Sequence, residues 1–138
     1  MDNTERKLRY GIVGIGNIGY VHASCIFGGH VPNAELGALC DIRQDMEPEL
    51  SRAFPGVPFY TDYAEMFARA DVDAVIVSVP HPHHAEVATA AFAAGKHVLV
   101  EKPMDIQLSR AKKLCETARN SGKRFGIMFT QRTGSLLA

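Results

Sequence analysis

Gly14-Ile15-Gly16-Asn17-Ile18-Gly19, entered from the apolar run Leu8 to Val13 and running on into a helix-forming segment, is the stretch that decides the fold. In a G-x-G-x-x-G turn between a strand and a helix, the first glycine permits the tight turn and the second lets backbone amides approach a pyrophosphate. The third lets the helix pack against the strand, and the phosphates meet the positive helix end. Three glycines alone are weak support, because a glycine turn beside a helix-capping carboxylate has the same spacing. Here the turn follows a strand and opens a helix, and Asp41 stands 22 residues after Gly19 at the end of a second apolar run. That is where a carboxylate accepts hydrogen bonds from an adenosine ribose.

Outward from this turn, short β-branched runs alternate with helical stretches. The runs are Leu8 to Val13, Glu35 to Cys40, Val57 to Tyr60, Ala74 to Val79, His97 to Val100 and Arg124 to Phe129. Ala74-Val75-Ile76-Val77-Ser78-Val79 is almost continuously apolar, the pattern of a parallel strand covered on both faces. Helices are predicted from Asn17 to Gly28, His83 to Ala94 and Leu108 to Asn120, each closed by glycine, with a short one after the Thr61-Asp62 cap. Gln44 to Phe54 is a weaker helix, since Pro48 suits only a first turn. Right-handed crossovers turn this alternation into an α/β, doubly wound (Rossmann) sheet of six parallel strands in the order 3-2-1-4-5-6. One domain is expected to fill residues 1–138, those after about 130 beginning a connection.

Composition agrees. The 138 residues carry 15 basic and 15 acidic side chains, so charge offers no attraction to nucleic acid or an anionic membrane. No apolar stretch is long enough for a membrane helix, and the polar N-terminus holds no export signal, which makes the cytoplasm the expected compartment. Cys25, Cys40 and Cys115 form no Cys-x-x-Cys pair and read as buried structural thiols.

The remaining chemistry falls at strand ends. Asp41 favours NAD over NADP, because a carboxylate repels a 2′-phosphate; Arg43 either stacks on adenine or pairs with such a phosphate, so NADP stays possible. His81, His83, His84 and His97 raise the question of a metal, but no cysteine accompanies them and no acid has ligand spacing. The expectation is no metal, with imidazoles lining a ligand cleft. Lys102, after Glu101 and before Pro103, is placed to hydrogen-bond a substrate hydroxyl or carbonyl, the alternative being a surface lysine paired with Glu101.

Together these residues resemble the cofactor domain of the glucose-fructose oxidoreductase, inositol 2-dehydrogenase and rhizopine catabolism (Gfo/Idh/MocA) family of NAD(P)-dependent oxidoreductases. The likeness is carried by Ile12 to Gly19 with His22, by Asp73 to Pro80 followed by His84, and by Ala94 to Pro103. It extends to Arg132. The resemblance implies that Lys102 is the catalytic-site lysine, with the Lys102-Pro103 bond a candidate for cis. It also implies a cofactor cleft made by Gly14, Ile15, Gly16, Asn17, Ile18, Gly19, Asp41, Arg43, Ser78, Pro80, His81, His84, Glu101, Lys102 and Arg132. His81 stands where many members have Asn, and Thr130 and Gln131 stand at the usual Asn positions before Arg132.

Family members continue into a second α/β domain that supplies substrate contacts, a catalytic base and usually an oligomer interface; this sequence has no such domain before Ala138. The expected function is therefore that of the NAD(P)-binding half of an oxidoreductase acting on a secondary alcohol of a sugar, cyclitol or polyol. Alone, the chain is expected to bind dinucleotide with little or no turnover, and homo-oligomers are possible. The alternatives are a non-catalytic dinucleotide sensor, which retention of Glu101-Lys102-Pro103 disfavours, and another nucleotide ligand such as an S-adenosyl donor.

Overall fold

The computed structural model describes residues 7–101 and 108–128, with His81 and Met128 described by their backbone alone. Six strands, β1 (Leu8–Val13), β2 (Ala34–Cys40), β3 (Phe59–Tyr60), β4 (Ala74–Val77), β5 (His97–Glu101) and β6 (Phe125–Met128), form one sheet. Its order is β3-β2-β1-β4-β5-β6, with every pairing parallel, as the strand–helix alternation requires. Among the described residues five α-helices lie between the strands: α1 (Asn17–Phe27), α2 (Glu47–Ala53), α3 (Tyr63–Arg69), α4 (His84–Ala93) and α5 (Leu108–Ser121).

β4 is apolar throughout, and β1 is apolar and buried over Gly11, Ile12 and Val13, because both faces of the sheet are covered there. On one face α3, α4 and α5 pack Met66, Phe67, Val87, Phe92 and Leu114 against Val13, Val75, Val77, Val98 and Val100. On the other, α1 and α2 bring Ala23, Ile26, Leu50 and Phe54 onto Ile12, Leu36, Leu39 and Ile76. Each fully buried valine or isoleucine contributes roughly 1.5–3 kcal/mol, so the sheet centre is the most strongly held part of the molecule.

Local chemistry sets the helix limits. The Asp62 carboxylate accepts from the Ala64 N–H at 3.0 Å and starts α3. Pro48 lies in the first turn of α2, after a single 3₁₀ turn at Gln44–Met46.

Five strand ends differ from expectation, β2 starting one residue earlier at Ala34 and β5 ending one residue later at Glu101. Val57 is not in β3, because its N–H closes the turn after α2 on the Phe54 carbonyl and Pro58 has no N–H to give. β4 stops at Val77, since its neighbour β1 turns away at Gly14 and only the Ser78 N–H still reaches the Val13 carbonyl. β6 begins at Phe125, and Phe129 lies outside the described residues. The cysteine expectation holds in part: Cys40 is buried, whereas Cys25 and Cys115 are half-buried on helices whose covered faces are made by other residues.

The connection from β1 goes to β2 on one side, while β4 continues the sheet on the other. A crevice opens where the direction reverses, at the carboxyl ends of β1 and β4.

Candidate functional site

The crevice is a cleft of about 860 Å³, and its floor is the glycine turn. Gly14 has φ +96°, and a Cβ there would stand 2.7 Å from the Ser78 carbonyl and the Val79 nitrogen. No side chain fits between the ends of β1 and β4. A Cβ on Gly19 would overlap the Gly14 carbonyl oxygen, so α1 lies directly on the turn it leaves. Gly16 differs: a Cβ would meet nothing within 4 Å, and the residue borders the open cleft. It precedes α1 with no side-chain cap, and the first turn of that helix carries no acidic residue. The amino end of α1 therefore presents uncapped backbone N–H groups and a positive dipole end beside the cleft.

At one end of the cleft, just past β2, Asp41 is only 7% exposed. One carboxylate oxygen accepts the Ile15 N–H at 2.8 Å and Arg43 Nη2 at 3.1 Å. The other accepts the Arg43 backbone N–H at 2.9 Å and Arg43 Nε at 3.0 Å. Burial opposes ionisation, but the hydrogen bonds from Arg43 and from the Ile15 backbone outweigh it and hold the carboxyl below the usual range. Arg43 also reaches the Ile15 carbonyl at 3.3 Å, so it is folded back over Asp41. Beside them Cys40 lies at the cleft wall, its thiol pushed up to about 12 by burial first and then by the Asp41 and Asp62 carboxylates.

At the other end, past β4 and β5, stand Ser78, Pro80, His84 and Glu101. His84 is fully buried and its Nε2–H donates to the Val79 carbonyl at 2.7 Å, which pins the turn leaving β4. The Ser78 hydroxyl oxygen is buried and has no hydrogen-bond partner among the described residues. Glu101 closes β5 with 7% exposure and pairs with Nε2 of His22 from α1.

Of the expected residues, Gly14, Gly16, Asn17, Ile18, Asp41, Arg43, Ser78, Pro80, His84 and Glu101 line this one cleft. Ile15 and Gly19 sit behind it, one binding Asp41 and the other packing under the turn. His81 is in a 3₁₀ turn at His81–His83. Lys102, Pro103, Thr130, Gln131 and Arg132 lie outside the described residues. Among the described residues no group of three or more His, Cys, Asp or Glu is arranged for a metal ion.

The sequence reading missed His22 as the partner of Glu101, and it missed the rim formed by Ile42, Thr61, Tyr63 and Glu86. The Tyr63 hydroxyl donates to Glu86 at 3.0 Å; burial and then this carboxylate raise its pKa. Ile42 is 86% exposed, an apolar side chain facing solvent at the cleft edge. The signal for His22 was its place one helical turn after Gly19. Any buried carboxylate ending β5 needs a donor from an element packed beside it.

The residues present suit a dinucleotide. An open glycine and uncapped amides can meet a pyrophosphate at the centre, with a carboxylate on one side and an orphaned hydroxyl with a second carboxylate on the other.

Comparison with known proteins gives the same picture. Residues 8–129 match the Gfo/Idh/MocA family model, an oxidoreductase family with an NAD-binding Rossmann fold. Inositol 2-dehydrogenase of Salmonella typhimurium is 34% identical over 118 residues, which are 85% of this chain and 35% of that protein. A glycosyl hydrolase family 109 protein of Shewanella baltica is 31% identical over 130 residues, covering 88% of this chain and 28% of its own length. Scyllo-inositol dehydrogenase from Lactobacillus casei, solved with NAD(H) and scyllo-inositol, superposes with a TM-score of 0.86 at 26% identity. That match covers 92% of this chain and 37% of the other. The chain thus spans about a third of the length of the relatives it matches. Among the described residues no helix is long and apolar enough to cross a membrane.

Proposed function

This chain belongs to the Gfo/Idh/MocA oxidoreductase family, and on that premise we propose that it is the cofactor-binding half of a dehydrogenase acting on a secondary alcohol of a sugar, cyclitol or related polyol. The observation that carries the reading is the continuous cleft joining the glycine turn to two buried carboxylates, Asp41 and Glu101. When bound, NAD supplies the hydride chemistry, and the protein binds, aligns and polarises.

The backbone N–H groups at Gly16, Asn17 and Ile18 hold the pyrophosphate, with Ile15 and Gly19 setting the shape of the turn. Asp41 would accept the adenosine ribose hydroxyls at the carboxylate to which the Arg43 guanidinium donates. Arg43 would stack on the adenine, with the exposed Ile42 beside it at the cleft edge. Ser78, Pro80, His81, His84 and Glu101 meet the nicotinamide half, and the family resemblance assigns Arg132 to cofactor binding as well. Lys102 donates to the reacting oxygen and polarises it.

Two relatives share this domain at similar identity, yet one is a dehydrogenase and the other a glycosyl hydrolase. That supports placing the choice of substrate and reaction in the part of the relatives with no counterpart in these 138 residues. Water exclusion and close alignment need walls on both sides of the cofactor, so the chain alone binds dinucleotide with little turnover. The Glu101-Lys102-Pro103 run supports an enzyme over a sensor, since a sensor has no use for a proton-handling lysine in this motif.

Calorimetric titration with NAD+, NADH, NADP+ and NADPH is the direct test, because the sequence has no tryptophan for energy transfer to a reduced nicotinamide. NAD+ and NADH are expected to bind, with the phosphorylated pair weaker by about tenfold. Binding of none of the four overturns the cofactor reading, and polyol-dependent NAD+ reduction by the isolated chain overturns the low turnover.

A further inference from the structure

We infer that the His22–Glu101 pair makes the cleft favour the oxidised, cationic nicotinamide over the reduced, neutral one, Glu101 supplying the charge and His22 fixing its position. The inference rests on the cofactor reading above. Asp41 lies past β2, on one side of the glycine turn, so a dinucleotide whose ribose it holds must extend its other half over the ends of β4 and β5. Glu101 ends β5 and lines that part of the cleft. His22 is not part of the lining; it reaches the carboxylate from α1, so that Glu101 stands between the imidazole and the ligand.

Both side chains are largely withdrawn from water, at 13% and 10% exposure, so solvent screens the carboxylate's field poorly. Ser78, on the neighbouring β4 end, is uncharged, and the fully buried His84 gives its Nε2–H to the Val79 carbonyl. Lys102, next in sequence, is the same in all the variants compared below. The hydrogen bond from His22 limits the rotamers of the Glu101 carboxylate. Without His22, Glu101 is free to turn from the cleft.

The experiment is calorimetric measurement at pH 8 of the dissociation constants for NAD+ and NADH, in the wild-type chain and in Glu101→Gln, His22→Gln and His22→Ala. A fold that is loosened without a change in field weakens both forms equally, so the ratio separates electrostatics from structure. Glu101→Gln is expected to lower the preference for NAD+ by about tenfold, or about 30 mV for a two-electron couple. His22→Gln keeps an amide donor within reach and is expected to hold the ratio within about twofold, whereas His22→Ala loses most of it. The His22 variants keep the inference testable if Glu101→Gln does not fold.

An unchanged ratio in Glu101→Gln, with both forms still binding, overturns the inference and leaves the cofactor reading standing. So does a severalfold rise in His22→Gln, which would show the imidazole to be a cation cancelling the carboxylate. If neither form binds to the wild type, both readings fall together.

Discussion

The two ends of the cleft each hold a buried carboxylate, and the two are held in opposite ways. Among the described residues Asp41 accepts four hydrogen bonds, three of them from one arginine and one from the glycine turn itself. Glu101 is held by a single imidazole from a helix 79 residues away in sequence. Asp41 and its arginine are near neighbours, so its environment is set by local chain geometry. Glu101 depends on α1 lying correctly on the sheet, because nothing near it in the described sequence supplies the donor. One carboxylate is part of the turn's construction, and the other is a sensitive group borrowed from the tertiary fold.

Removing the carboxylates is the strongest way to break this comparison. Asp41→Ala strands the Ile15 and Arg43 N–H donors and unties the glycine turn, so urea unfolding is expected to show a loss of about 2–3 kcal/mol. NAD+ affinity should fall at least tenfold in calorimetry, and NADP+ affinity by less, because the group repelling a 2′-phosphate has gone. Glu101→Ala leaves one donor without its partner where Asp41→Ala leaves four, and about 1 kcal/mol is expected. Equal losses from the two variants would erase the distinction.

Acid sharpens it. The Asp41 carboxyl is held below its ordinary value in the folded protein, so between the two values the unfolded chain binds more protons. Its stabilisation is present above about pH 4, the unfolded value, and is lost as pH falls through the folded one. The stability gap between wild type and Asp41→Asn, measured by urea unfolding, should be flat from pH 8 to 5 and narrower at pH 3. A gap independent of pH would mean that the charge of Asp41 contributes nothing.

The smallest expected effect is at Cys40. Burial and the two neighbouring carboxylates keep its thiol protonated, so iodoacetamide at pH 8 should label Cys25 and Cys115 of the native chain and spare Cys40. Asp41→Asn removes the second of these causes and should raise Cys40 labelling by only about threefold, since burial remains. Labelling as fast as at Cys25 in the wild type would show that the β2 end opens freely.

The sheet and its order were legible in the sequence because continuous β-branched runs and closing glycines report on short-range requirements. Gly14, Gly16, Gly19 and Asp41 were legible for the same reason: their spacing encodes a turn. The sequence pointed less clearly to Arg43. Its charge was evident, but its folding back onto Asp41 depends on the 3.0 Å reach of its own side chain to a residue two positions earlier. His22 with Glu101, and Tyr63 with Glu86, were illegible as pairs, since each joins elements that only the finished fold brings together. Val57 was misplaced because its run is apolar, and apolarity does not say where a backbone N–H is already engaged.

The seam between β1 and β4 has a mechanical consequence. With no room for a Cβ at Gly14, the Ser78–Val79 peptide rests on the glycine turn, and His84 holds the carbonyl of the next peptide, that of Val79. The two halves of the crevice share one backbone joint, so neither can shift without carrying the other. A ligand entering from either end finds its far subsite already ordered, and little conformational entropy remains to be lost on binding.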